Sequence, residues 1–292
     1  MRPPVKLVAS GDGVREKGWW RAYQWLILRR LSQLTILALF LAGPWFGVRW
    51  VEGNLSSSLT LNTLPLTDVL IFLQILVSGH WPASQAVLGF VIVVVFYMLV
   101  GGRVFCAWAC PVNMITDLAR WARGKLGIRR DISLPRSTRY GVLIMLLLVT
   151  ALSGMLVWEW VNPVAMVHRG LIFGMGAGWL VVVAIFLFDL FISRNGWCGR
   201  LCPTGAVYSL CSTTALVRVE AARRDQCNDC QDCFLVCPEP QVIGPALKGE
   251  AKGIGPVIHG INCSNCGRCI DVCSKSVYRF AIHIPNRSRI AS

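Results

Sequence analysis

Apolar and polar positions along this chain fall into long blocks. Four apolar stretches, near Leu31 to Val51, Ala86 to Val104, Tyr140 to Val161 and Leu171 to Ile192, each approach the ~20 residues a helix needs to cross about 30 Å of hydrocarbon. They predict four transmembrane helices. Between the first two lies a shorter run, Asp68 to Gly79, too short to span and expected as a re-entrant or interfacial helix on the outer face. From Arg223 onward the hydropathy falls, Gly and Pro punctuate the chain and cysteines cluster, so this tail reads as a separate soluble module. The expected organisation is a basic leader (1–30), a transmembrane domain (31–222) and the C-terminal module (223–292). In fold class it is a membrane all-α domain plus a cytoplasmic α+β module.

Composition agrees, because 54% hydrophobic residues do not suit a soluble globule of this size. The net charge of +14 raises nucleic acid as a partner until the charges are placed. Of the 29 Lys and Arg, seven lie in Met1 to Arg30, one in Arg49 to Pro82, eight in Arg103 to Arg139, one in Asn162 to Gly170 and twelve from Arg194 onward. That alternation fits the positive-inside rule for a multi-pass protein of the bacterial cytoplasmic (inner) membrane with both termini cytoplasmic. The basic character is then topological and a surface for anionic lipid, with no nucleic-acid footprint. The first apolar stretch follows a long basic leader without a small-residue cleavage site, so it is expected to stay as an anchor. Trp19, Trp20, Trp25, Trp158 and Trp160 read as interfacial anchors.

Thirteen cysteines change the picture most, because twelve of them sit in tight CxxC or CxxxC clusters. That is ligand spacing and calls for a reducing compartment. Cys227, Cys230, Cys233 and Cys237, then Cys263, Cys266, Cys269 and Cys273, each form the CxxCxxCxxxC run of bacterial two-cluster ferredoxins. Three close thiolates wrap one cubane while the fourth reaches the other. The pairing that follows is Cys227, Cys230, Cys233 and Cys273 on one [4Fe–4S] cluster, and Cys263, Cys266, Cys269 and Cys237 on the second. Zinc fits less well, since it favours separated pairs over a continuous three-cysteine run. The 25 residues between Cys237 and Cys263 read as a loose connecting loop.

A second signal is Cys106-x3-Cys110-Pro111 and Cys198-x3-Cys202-Pro203. Cysteines four apart share one helical face. These four mark a candidate additional metal or cluster site for iron–sulfur, copper(I) or zinc, set against two thiol pairs that never meet. No nucleotide fingerprint is present, which suggests a lipid-soluble quinol as electron donor. Its candidate site residues are His80, Glu159, His168 and Arg169, each of which also reads as a snorkelling or loop hydrogen-bonding side chain. Asp189 is expected to pair with Arg194.

These residues resemble a known family. The segments GWWR (Gly18 to Arg21), LRRLSQ (Leu28 to Gln33), GPWFGV (Gly43 to Val48), PLTD (Pro65 to Asp68), CAWACPVNMITDLARW (Cys106 to Trp121), WEWVNPV (Trp158 to Val164), WCGRLCPTGA (Trp197 to Ala206) and CNDCQDCFLVCPEP (Cys227 to Pro240) are similar to the ferredoxin-type NapH/MauN family over nearly the whole chain. The resemblance implies a four-helix membrane subunit of a periplasmic nitrate reductase system. Such a subunit passes electrons from the quinone pool, with a NapG-like periplasmic iron–sulfur partner, towards a NapC/NapB/NapA-type chain. It implies a component of a quinol dehydrogenase complex and not a stand-alone enzyme. MauN shares the architecture, so a methylamine pathway stays open, as do an assembly or anchoring scaffold and a copper reductase.

Overall fold

The computed structural model describes residues 9, 11–47, 50–61, 63–128, 130–132, 134–174, 176 and 178–283. Val48 and Ser133 fall outside these, as do Met1 to Val8 and the last nine residues. The described chain opens with α1 (Asp12–Lys17) and α2 (Trp19–Phe46), then three strands, β1 (Val51–Gly53), β2 (Ser57–Thr60) and β3 (Leu64–Thr67). Helices α3 (Val69–Val77), α4 (Ser84–Val100), α5 (Val104–Trp108), α6 (Val112–Lys125), α7 (Thr138–Ser153), α8 (Val157–Val161), α9 (Pro163–Phe173) and α10 (Gly178–Leu187) follow. Two single π turns, Phe188–Ile192 and Trp197–Leu201, lead to α11 (Pro203–Cys211), β4 (Val217–Glu220), α12 (Asp232–Val236), α13 (Ile243–Lys248), α14 (Arg268–Val272) and β5 (Arg279–Ile282).

Helix boundaries depart from the hydropathy blocks, and glycine is the main reason. By length and composition α2 is the one described helix able to cross a membrane; α4, α7, α9 and Gly178–Ile192 are apolar but shorter. The first expected span began at Leu31, whereas α2 starts at Trp19, because charged residues at its head lower hydropathy without breaking the helix. The second stops at Val100, before Gly101 at φ +121°. The third is cut at Gly154, in the left-handed region at φ +66°. The fourth begins inside α9, which ends at Gly174 with φ +84°. Glycine reaches such backbone without the steric cost other residues meet, and a hydropathy window does not register it.

The chain forms two compact units, residues 30–96 with 108–208, and residues 1–29 with 97–107 and 209–292. In the first, β1, β2 and β3 form an antiparallel meander, with Val51, expected as the end of the first span, opening β1 instead. Gly53 makes the first turn, at φ +102° with a Cβ position only 2.3 Å from Ser57 O, and Asn54 Oδ1 accepts from the amides of Ser56 and Ser57. In β3 burial alternates, with Pro65 and Thr67 buried and Leu64 and Leu66 more open, as a half-buried strand requires. Gly89 lets α4 lie against β3, since a Cβ there would sit 3.1 Å from the Pro65 carbonyl.

Buried polar groups in this unit have specific partners. Tyr208 donates to Asp68 Oδ1 at 2.8 Å, and Arg123 donates to the carbonyls of Asp189 and Leu190 at 3.2 and 3.1 Å, where the π turn disturbs the ordinary helical ladder. Asp189 does not pair with Arg194. Its Oδ1 accepts the Trp197 amide at 3.0 Å, so it caps the second π turn. On α3 and α7, Gln74 Nε2 donates to Thr150 Oγ1 at 2.8 Å with both side chains fully buried. Thr150→Val is therefore expected to destabilise the fold by about 1–2 kcal/mol, and Gln74→Leu in the same chain to recover most of it, measured by the unfolding midpoint in detergent.

The other unit holds the cysteine-rich module. β4 pairs antiparallel with β5, Val217 opposite Ile282 through Glu220 opposite Arg279. Its core is Val219, Ala221, Val242, Ile243, Ala246, Leu247, Ile258, Val277 and Tyr278. The segment between Cys237 and Cys263, expected as a loose loop, contributes five of these residues and the helix α13. The end of α4 is tied in as well, since Leu99 O accepts the Leu216 amide at 2.9 Å.

Candidate functional site

The two cysteine runs build the same local structure twice. In the first loop Asp229 and Gln231, flanking Cys230, have φ of +53° and +64°; in the second Asn265 and Gly267, flanking Cys266, have +46° and +71°. Asp229 and Asn265 occupy equivalent places, with their side-chain oxygens 3.9 and 3.5 Å from Cys227 Sγ and Cys263 Sγ. Asn and Asp tolerate left-handed backbone best among non-glycine residues. Each loop then runs into one short helix, α12 or α14, which carries the third cysteine and delivers the fourth, Cys237 or Cys273, in extended backbone at its end.

The fourth cysteines are exchanged between the runs. Cys237 lies where the charges of Cys266 and Cys263 act on it, and Cys269 senses Cys266, Cys237 and Cys263. Cys233 senses Cys273 and Cys230, and the adjoining residues Val277 and Tyr278 bind this pair, the amide to Cys273 Sγ at 3.4 Å and the hydroxyl to Cys233 Sγ at 3.5 Å. A cavity is lined by Cys237, Cys263, Cys266 and Cys269 together with Val219, Ile243 and Arg268.

The donor set fits iron–sulfur clusters. Burial, then the charges of neighbouring thiols, keeps these groups protonated: Cys263 is pushed up to about 11 and Cys269 well above its usual value. Burial also pushes Cys233 up to about 11. Burial works against Cys266 too, but Arg268 and Arg29, with hydrogen bonds from the Arg268 amide and Ser264, together outweigh it and hold that thiol below its ordinary value. Thiols crowded in this way become stable thiolates when cations lie among them. Among the described residues no three His, Cys, Asp or Glu side chains close on a single ion, whereas a cubane needs its four thiolates held apart at the corners.

Positive charge is uneven between the sets. Around the second set stand Arg103, which donates to Asn262 O at 3.0 Å and to Glu239 at 2.8 Å, with Arg29, Arg218 and Arg268. Near the first set Lys248 is exposed and bound to Asp229 at 2.6 Å, while Lys17, on Ile270 O at 2.7 Å, acts on Cys273 and Cys269 alike. The N-terminal segment thus lies on the module. Trp25 stacks edge-on against Phe280 with centroids 4.6 Å apart, and the amides of Trp25 and Leu26 donate to Asp271 at 3.2 and 2.9 Å. Trp25 is therefore a packing residue here and not a free interfacial anchor, and Trp158 is 4% exposed and does not act as one either. Trp19, Trp20 and Trp160 are exposed, as expected.

The CxxxCP cysteines fall in both units, Cys106 in one and Cys110, Cys198 and Cys202 in the other. Within the latter, Ser32 and Gln33 of α2 donate to Trp108 O and Cys110 O at 2.9 and 3.2 Å, and Thr116, at the head of α6, lies 3.8 Å from Cys198 Sγ. The two arms therefore adjoin, which spacing alone left open. Of the quinol-site candidates, Glu159 and Arg169 pair at 3.3 Å and His80 is exposed beside Ser78. His168 is 3% exposed, edge-on to Phe40 at 5.6 Å, with Nε2 buried and without a hydrogen-bond partner.

The 4Fe-4S binding domain family matches residues 85–129 and 171–212, the two arms that carry Cys106 and Cys110 and then Cys198 and Cys202. The chain is 47% identical over 270 residues to the ferredoxin-type protein NapH of Escherichia coli, covering 92% of this chain and 93% of that one. It is 49% identical over 274 residues to the ferredoxin-type protein NapH of Haemophilus influenzae, covering 93% and 95%. Against the methylamine utilization ferredoxin-type protein MauN of Methylorubrum extorquens it is 52% identical over 252 residues, covering 86% and 88%. No solved structure matches the chain.

Proposed function

We propose a function from one premise: the chain belongs to the family of ferredoxin-type NapH and MauN proteins and is an iron–sulfur protein of electron transfer. In this proposal it is a multi-pass subunit of the bacterial inner membrane, both termini cytoplasmic, that takes electrons from quinol. With a NapG-like periplasmic iron–sulfur partner it passes them towards periplasmic nitrate reduction. The duplicated left-handed cysteine loops with exchanged fourth cysteines carry this reading. Support for the membrane spans comes from large apolar side chains exposed along α4, α7 and α10, among them Leu88, Val95, Met145, Leu152 and Leu180, which suit lipid-facing helices.

Two [4Fe–4S] clusters are assigned, one to Cys227, Cys230, Cys233 and Cys273 and the other to Cys263, Cys266, Cys269 and Cys237. Bound there, each supplies one-electron redox chemistry, while the protein holds the thiolates apart and keeps water from them. The CxxxCP cysteines Cys106, Cys110, Cys198 and Cys202 are proposed as further iron–sulfur ligands, a reading supported by the family match to both arms. Iron counting on purified protein tests this: about twelve irons per chain are expected, and about eight would leave those cysteines without a cluster.

His168 is proposed as the group that accepts a hydrogen bond from a quinol hydroxyl, because its buried Nε2 lacks a partner and a neutral imidazole nitrogen can take one. His168→Leu is expected to slow cluster reduction by a quinol analogue at least tenfold, about 1.4 kcal/mol, with dithionite reduction unchanged. Equal rates in the variant and the parent would remove His168 from the quinol site. Clusters that no quinol analogue reduces in the parent, alone or with its partner, would favour a scaffold.

A further inference from the structure

Arg218 is held entirely by main chain. From β4 its Nε donates to Ala215 O at 3.0 Å, its Nη2 to Ser212 O and Thr213 O at 3.0 Å each, and its Nη1 to Ile258 O at 3.4 Å. Among the described residues no carboxylate is bonded to it, and the side chain is buried. The neighbouring carbonyl, Val217 O, accepts Asn265 Nδ2 at 2.8 Å, which ties this strand to the loop between Cys263 and Cys266. The guanidinium and the Cys263 thiol sense each other's charge. Arg103, the other cation at Cys263, is already bonded to the buried Glu239.

Resting on the two-cluster assignment above, we propose that Arg218 makes the set Cys263, Cys266, Cys269 and Cys237 the higher in reduction potential of the two. An electron arriving at a cysteine set adds one negative charge to it. A fixed positive charge in a water-poor surrounding stabilises that state more than an exposed, screened one does. Among the described residues, the cations shown acting on the first set are the exposed Lys248, bonded to Asp229, and Lys17, which is shared with Cys269. Electrons entering the module at the first set therefore run downhill to the second, and Arg218 gives the pair its direction.

The test is a redox titration followed by electron paramagnetic resonance, on full-length protein reduced to one centre of the pair by Cys230→Ala or by Cys266→Ala. Arg218→Gln is expected to lower the midpoint in the Cys230→Ala background and to leave it unmoved in the Cys266→Ala background. Arg218→Lys, which keeps the charge, should restore most of the difference. Glu239→Gln frees the charge of Arg103 and should move the second-set midpoint upward, a readout that survives if Arg218→Gln fails to fold. Two centres present with a second-set midpoint unmoved by Arg218→Gln would overturn the role of Arg218 alone. Absence of iron at the eight cysteines would overturn the assignment and this proposal with it.

Discussion

Replacing Cys237 with alanine is expected to empty the cluster of the other cysteine run and spare that of its own. The fourth thiol of the first run lies with Cys263, Cys266 and Cys269, whereas Cys273 lies with Cys233. Cys237→Ala should lose about four irons and retain the resonance signal seen in Cys266→Ala. Cys273→Ala should retain the signal of Cys230→Ala. If Cys237→Ala matched Cys230→Ala instead, each run would hold its own cluster and the exchanged arrangement would be wrong. The comparison needs no assignment of either spectrum, only that the four variants sort into two pairs.

The second large effect is expected at Gly267. Its φ is +71°, and a Cβ there would lie 2.6 Å from Cβ and Cγ of Trp25. An alanine meets two separate penalties, about 1–2 kcal/mol for left-handed backbone and ~1–3 kcal/mol for overpacking against the Trp25 indole, which already packs on Phe280. Gly267→Ala should lower the unfolding temperature markedly and loosen the cluster nearest Cys266. Adding Trp25→Ala should recover the steric part and leave the backbone part. Gln231 holds the equivalent place in the first loop at φ +64°, so Gln231→Gly is expected to be neutral or to stabilise by up to ~1 kcal/mol. A Gly267→Ala protein as stable as its parent would show that Trp25 does not press on the loop.

The eight cysteines of the module were legible in the sequence because their spacing is a covalent constraint, which three-dimensional packing cannot alter. Family membership was legible for the same reason, through motifs such as Cys106 to Trp121 and Trp197 to Ala206. The helix breaks at Gly154 and Gly174 carried a local signal, a glycine closing an apolar run, that averaging over about 20 residues hides. The meander at Val51–Thr67 likewise had its turn signal at Gly53 and Asn54. By contrast, nothing local marks His168 as buried with an unpartnered nitrogen, or Arg218 as bonded only to carbonyls. Those properties depend on which distant backbone lies opposite, as with the carbonyl of Ile258 for Arg218.

The bond between the amides of Trp25 and Leu26 and the carboxylate of Asp271 also bears on how the chain is made. Its two ends are 246 residues apart for Trp25, and Gly13 packs on the carbonyl of Val272, still further along. A ribosome adding about 5–20 residues per second takes roughly 12–50 s to cover that interval. Through all of it Trp25 and Leu26 have been synthesised, and Asp271, to which their amides donate, has not. An early helix of the sequence is thus completed by a much later one. A cell producing this protein must keep that stretch from aggregating until α14 emerges.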